Sequence, residues 1–257
     1  MKVLIVGAES QLGLAAASKL IEAHPLRLFD SKVSAPPYPG EVERIEGDIL
    51  DPDTCWKLVR GVDAVVHTGH FSGPTLSGYD HEQHLDLATR GMHILLKAAV
   101  ETGVKRIVYA GTLEIFASYP DDVFISEHWE PKPTPAMEQM APFLAENLCR
   151  EFARAHKVTV TVLRLGKLVK EEEVERESPD LMWLDFRDAA KAIRWALNRE
   201  ASQDVWWTRR YALYHICAAI PNGKYLVSQA ASQGFEPVHN FDACWPTSGS
   251  DTTGGKS

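Results

Sequence analysis

Three features of this sequence predict an α/β fold, a doubly wound parallel sheet with a small C-terminal cap. Short apolar runs alternate with longer amphipathic ones from the first residues, and a glycine-punctuated turn directly follows the first run. The composition, 257 residues of which 45% are hydrophobic, allows a sizeable core. Val3–Val6 reads as the first strand, residues 12–23 as the first helix and residues 26–29 as the second strand. Asp51 before Pro52 opens another helix, with the acid at the cap and proline at the first helical position. Residues 62–67 return as a strand, and two long helical segments, 81–102 and 136–156, flank a strand at 106–110. Residues 158–163 close this series. A charged run at 170–177 then reads as a solvated face, followed by a helix at 188–198, a strand at Tyr211–Ile216 and a last helix at 225–232. The division expected is a dinucleotide-binding domain over 1–165, a substrate cap over 166–245, and a disordered tail over 246–257, which is rich in Ser, Thr and Gly.

The turn after the first strand, Gly7-Ala8-Glu9-Ser10-Gln11-Leu12-Gly13, has the form of a phosphate cradle. Gly7 permits a tight turn, the small Ser10 lets backbone approach a pyrophosphate, and Gly13 lets helix pack close to strand. The N–H groups of the helix start, around Gln11 and Leu12, face the anion. Asp30 ends the second strand, where a carboxylate accepts hydrogen bonds from an adenine-ribose diol. Its charge opposes the extra phosphate of NADP and so favours NAD, tempered by Lys32; the alternative for Asp30 is a turn residue. The first half therefore reads as Rossmann-type.

Other classes fit poorly. Lys and Arg number 27 against 35 Asp and Glu, a net charge of −8, so no nucleic-acid surface is expected and a small-molecule substrate is. No apolar stretch reaches the roughly 20 residues of a membrane span, which suggests a cytoplasmic protein. Cys55, Cys149, Cys217 and Cys244 lie far apart and read as ordinary buried thiols. His67 and His70 lack a third ligand at metal spacing, so no metal is expected.

Along nearly its whole length the chain resembles the extended short-chain dehydrogenase/reductase family, the NAD-dependent epimerases and dehydratases of sugars. Gly7 to Gly13 is similar to the family's Gly-x-x-Gly-x-x-Gly loop. Residues 46–51 resemble the segment whose Asp48 and Ile49 contact adenine, and residues 63–70 resemble the fourth strand, whose end, Thr68 and Gly69, lies beside the cofactor. Residues 104–112 resemble the fifth, placing Thr112 at the Ser/Thr that hydrogen-bonds a substrate hydroxyl. Leu163-Arg164-Leu165-Gly166-Lys167 and Phe186-Arg187-Asp188 resemble later landmarks. The short cap points to compact, uronate-dehydrogenase-like members, whose substrates are monosaccharide acids. The resemblance implies NAD as cofactor, a sugar or sugar-acid substrate, and a homodimer paired through residues 81–102 and 136–156. The second of these helices carries Met137, Met140, Phe143, Leu144, Leu148 and Phe152, more apolar surface than one sheet face needs.

The family's catalyst is a Tyr-x-x-x-Lys pair, and none of the 7 tyrosines has Lys four places later. Alignment on Glu146 puts Glu138 in place of the tyrosine and Pro142 in place of the lysine. Ala88, three residues before Gly91, replaces an active-site Asn, and Ser10 replaces the middle glycine of the loop. Glu138 and His70 are candidate substitute acid/base groups: burial can raise a carboxyl into the working range, and imidazole titrates there unperturbed. The bland alternatives are an exposed helix residue, a loop histidine and, for Thr112, a strand cap. Two functions stay open, an NAD-dependent oxidoreductase or epimerase with a non-standard acid/base group, and a non-catalytic NAD-binding sensor or partner subunit.

Overall fold

The computed structural model describes residues 1–34, 38–68, 81–174, 177–220 and 222–245. Seven strands form one sheet: β1 Val3–Val6, β2 Leu26–Asp30, β3 Val42–Glu46, β4 Ala64–His67, β5 Arg106–Thr112, β6 Thr159–Leu165 and β9 Tyr211–Ile216. Their order is β3-β2-β1-β4-β5-β6-β9 and every pairing is parallel. Strands β1, β4 and β6 are buried at every position, as expected where helices cover both faces and the strand reads as a near-continuous apolar run. A separate parallel pair joins β7 Lys167–Val169 to β8 Trp183–Asp185.

Two cores lie on opposite faces of the sheet. On one, α1 Gln11–Leu20 and α6 Phe186–Ala196 pack together, and Leu12, Ala16, Ala17, Ala189, Ala192 and Ile193 cover β1, β2 and β6. On the other lie α2 Pro52–Val59, α4 Met92–Glu101 and the 19-residue α5 Met137–Ala155. Helix α2 starts as expected, with the Asp51 carboxylate accepting from the N–H groups of Asp53 and Thr54 and Pro52 at the first turn. Segment 81–102 is less regular than expected: α3 His81–Asp86 runs through a π-turn, Leu87–Gly91, into α4. The remaining short helices are α7 Trp207–Arg210 and α8 Ser228–Ser232. No helix among the described residues is long and apolar enough to cross a membrane.

The segment expected to form a separate cap, 166–245, divides between sheet and edge. Strand β9 pairs with β6 from Val160↔Tyr211 to Leu165↔Ile216, and α6 joins α1 in the core, so both complete the Rossmann layer. What remains beside the strand ends is the β7–β8 pair, the chain between them, and residues after Ile216. Strand β3, with its Val-Glu-Arg-Ile-Glu sequence, was absent from the sequence expectations because it is a charged edge strand and carries no apolar run. The expectation of a disordered tail over 246–257 concerns positions outside the described residues. Of the four cysteines, Cys55, Cys149 and Cys217 are buried as expected, while Cys244 is half-buried.

Candidate cofactor and active site

Because all seven strands run parallel, their C-terminal ends meet along one edge. The order reverses direction beside β1, and β1 and β4 end side by side there (Val6↔His67); such a switch point is where open α/β sheets hold ligands. Gly7 leaves β1 with φ 80°, in the left-handed region open to glycine. A Cβ on Gly13 would stand 2.2 Å from the Gly7 carbonyl oxygen, so only glycine lets α1 start so close to the turn. The N–H groups of Gln11 and Leu12, in the first turn of α1, have no intrahelical acceptor and carry the positive end of the helix dipole. The Leu12 side chain itself lies in the core. This cradle fits a dinucleotide pyrophosphate.

Ser10, expected only as a small residue, has a definite task. Its hydroxyl donates to the Gly7 carbonyl (2.7 Å) and accepts from the Gly13 N–H (2.9 Å), capping α1. Thr68, fully buried at the end of β4, donates its hydroxyl to the carbonyls of Val6 and Gly7, both at 3.0 Å, and so braces the turn from behind. Asp30 accepts from the Glu9 N–H at 3.0 Å and the Ser31 N–H at 2.8 Å, which puts its carboxylate against the glycine turn. Asp48 is exposed and accepts from the Leu50 N–H (2.8 Å). Ile49 is buried against Gly91, where a Cβ would stand 2.8 Å from its Cγ2. Gly69 and His70 lie outside the described residues.

The candidate catalytic residues are placed unequally. Thr112 ends β5, nearly buried, and its hydroxyl accepts from the Glu114 N–H (3.1 Å), capping a 3-10 turn, Leu113–Phe116. Glu138 stands exposed on the first turn of α5. Pro142 is buried in the same helix; lacking an N–H, it leaves the Glu138 carbonyl without its usual partner. The Tyr109 hydroxyl donates to the Pro142 carbonyl at 3.3 Å. Ala88 is buried within the π-turn.

Sequence reading missed Glu114, the half-buried member of a turn whose other three residues are buried. Burial raises its carboxyl above the usual range, Asp180 adds to this, and Lys167 and Lys224 oppose it. Lys167 opens β7, Asp180 lies in the chain before β8 and Lys224 in the segment after β9, so Glu114 stands among charged groups from beyond the ends of β6 and β9. The second omission is a buried ion pair: Arg164 donates two hydrogen bonds to Glu146, at 2.9 and 2.6 Å, and stacks over Phe116. Both residues stand in stretches that carry the family resemblance, but their pairing joins α5 to β6 and leaves no local signal. Gly166 follows Arg164 because the Met182 carbonyl lies 2.0 Å from where a Cβ would be.

Fold and turn together define the class: an extended short-chain dehydrogenase/reductase-type protein with a Rossmann dinucleotide cradle. The profile of the NAD dependent epimerase/dehydratase family matches residues 3–182. The chain belongs to that family, whose members are NAD-dependent enzymes. It is 25% identical over 224 residues to a uronate dehydrogenase of Pseudomonas syringae pv. tomato, covering 82% of this chain and 78% of that protein. A mutant of uronate dehydrogenase from Agrobacterium tumefaciens complexed with NAD superposes with a TM-score of 0.77 at 22% identity, over 92% of this chain and 84% of that one. Glucuronic acid dehydrogenase from Chromohalobacter salexigens gives 0.78 at 18% identity, over 94% and 85%.

Proposed function

We propose that this chain is an NAD-dependent dehydrogenase acting on a hydroxyl of a sugar acid, with an acid/base group other than tyrosine. The observation that carries this reading is the likeness to a uronate dehydrogenase across four-fifths of the chain, joined to a glycine turn after β1 that is shaped as a dinucleotide cradle. NAD, when bound, would supply the hydride acceptor for oxidation of the carbon bearing the hydroxyl. Gly7, Ser10, Gln11, Leu12 and Gly13 would hold the pyrophosphate and Asp30 the ribose, with Asp48, Ile49 and Thr68 beside them; Gly69, which the resemblance adds to this set, lies outside the described residues. Thr112 holds the substrate oxygen: its hydroxyl already accepts from Glu114, so its proton is available to donate. The substrate hydroxyl proton passes to a carboxylate or imidazole as the hydride leaves. Of Glu138, His70 and Glu114, the last is best supported, being half-buried two residues beyond Thr112 with a raised pKa. The β7–β8 pair and residues 217–245 form the substrate side. The buried thiols of Cys55, Cys149 and Cys217 suit a reducing compartment, the cytoplasm.

The test follows absorbance of reduced nicotinamide across uronic acids and aldoses, in the unmodified chain and in Glu114→Gln, Glu138→Gln, His70→Ala and Thr112→Ala. Turnover of a sugar acid is expected, slowed about 10²- to 10⁴-fold by Glu114→Gln, the usual worth of a placed proton acceptor. If Glu138→Gln or His70→Ala slows the reaction instead, that residue is the base. Dinucleotide binding with no turnover on any substrate favours the sensor. We extend the reading to a homodimer formed through α4 and α5. An open groove of about 680 Å³ runs between them, lined by Thr89, His93, Ile94, Leu144 and Leu148 among others.

A further inference from the structure

We propose that Glu9, inside the glycine turn, is a second determinant beside Asp30 that excludes a 2′-phosphorylated dinucleotide. This rests on the turn holding NAD. The chain after β2 is tied down by three carboxylates from three different places. Asp30 accepts from the Ser31 N–H at 2.8 Å, Glu46 of β3 from the Val33 N–H at 3.0 Å, and Glu9 from the Ser34 N–H at 2.8 Å and the Ser34 hydroxyl at 2.7 Å. Glu9 also donates its own N–H to the second Asp30 oxygen, 3.0 Å away. An adenine ribose whose diol reached Asp30 would therefore meet a carboxylate that the Glu9 backbone already shares, beside the Glu9–Ser34 bridge.

The two cofactor forms meet these carboxylates differently. A 2′-hydroxyl donates to a carboxylate, whereas a 2′-phosphate has no proton to give near neutral pH and adds up to two negative charges. Lys32 follows Asp30 in the chain and Arg44 stands opposite Leu28 in the β2–β3 register; both cations are exposed, and they stand against the carboxylates of Glu9, Asp30 and Glu46. The Glu9–Ser34 bridge also ties the glycine turn to the loop after β2, beside Asp30. Glu9 thus acts on the cofactor's phosphate by charge, and on the loop by its two hydrogen bonds.

Calorimetric titration of the full chain with NAD and with NADP tests this in the wild type, Glu9→Gln and Ser34→Ala. Glutamine keeps the shape and an acceptor for Ser34 but removes the charge. Glu9→Gln is expected to tighten NADP about tenfold relative to NAD, equal to about 1.4 kcal/mol, and Ser34→Ala, which keeps the charge, to leave the ratio where it is. The wild-type preference is expected to shrink between low and high salt, since exposed charges are screened. A wild type that binds NAD, with a ratio unmoved by Glu9→Gln, overturns the role of Glu9. So does an equal change in Ser34→Ala, which would make the bridge and not the charge responsible. A wild type that binds neither dinucleotide overturns the NAD reading itself, and this inference with it.

Discussion

At the scale of single residues, the acids of the C-terminal half are set by their partners. Asp185 is fully buried at the start of α6; burial alone would raise its carboxyl, but the Arg187 guanidinium and the N–H groups of Glu171 and Arg187 outweigh that and hold it at about 2. Asp188 accepts from the N–H groups of Val238 and His239 and lies 2.9 Å from the His239 ring, binding the C-terminal segment to α6. A carboxyl whose folded pKa lies below its unfolded value, about 3.9, contributes stability that is complete above about pH 4 and is lost as pH falls through about 2. For Asp185 this amounts to roughly 2 kcal/mol. Asp185→Asn is therefore expected to lower unfolding free energy by about that much at pH 7, measured by urea denaturation. The gap to wild type should narrow steadily from pH 4 downward, and a gap constant with pH would place the cost in packing instead.

At the scale of elements, α5 carries a conflict between helix formation and packing. Pro142 sits six residues into a 19-residue helix, removing one backbone bond at a usual cost of about 3 kcal/mol. Its ring is buried, and trimming it to alanine forfeits about two methylenes, roughly 1.6 kcal/mol. The helix term is the larger. Pro142→Ala is expected to stabilise the protein by about 1 kcal/mol, read as a higher urea midpoint at unchanged slope; a lower midpoint would mean that the proline is built into the packing of this face. Elsewhere helix ends are closed from a distance: Arg210, nearly buried, donates to the carbonyls of Ala153 and Arg154 at the end of α5. Arg27 does the same for α2 through the carbonyls of Leu58 and Arg60.

At the scale of the whole molecule, the apolar residues of α5 turn out to serve different surfaces. Phe152 is buried in the core, Phe143 packs on the cluster that holds Leu113, Ile115 and Phe116 of the 3-10 turn, and Leu144 and Leu148 line the groove facing α4. The proposed homodimer thus rests on the last two and on Ile94 and His93. Light scattering at micromolar concentration is expected to give the mass of a dimer, and Leu148→Glu, which places a charge in the groove, that of a monomer. A monomeric wild type would leave the groove without this role. The tryptophans divide likewise: Trp183 is buried and Trp195 packs on Tyr214 and Phe235, while Trp206 is exposed.

What could be read from residue order alone is what neighbouring residues encode. The apolar runs of β1, β2, β4, β5 and β6 are legible because a strand buried on both faces has to be apolar throughout. Gly7 and Gly13 are legible because one backbone angle and one close approach demand glycine, and the Asp51–Pro52 helix start because a cap is local. The family resemblance rests on the same stretches. The remaining features depend on which distant segments meet. Strand β3 exists because β2 offers it a partner, Asp30 opposite Glu46, and β9 belongs to the sheet because β6 was left with an open edge. Glu146 and Arg164 are 18 residues apart and pair only when α5 lies on β6. Glu9, Asp30, Glu46 and Ser34 become one structure only when the turn, two strands and a loop converge. Such contacts are chosen by the burial of charge and the pairing of edges across the fold, and neither leaves a periodic trace along the chain.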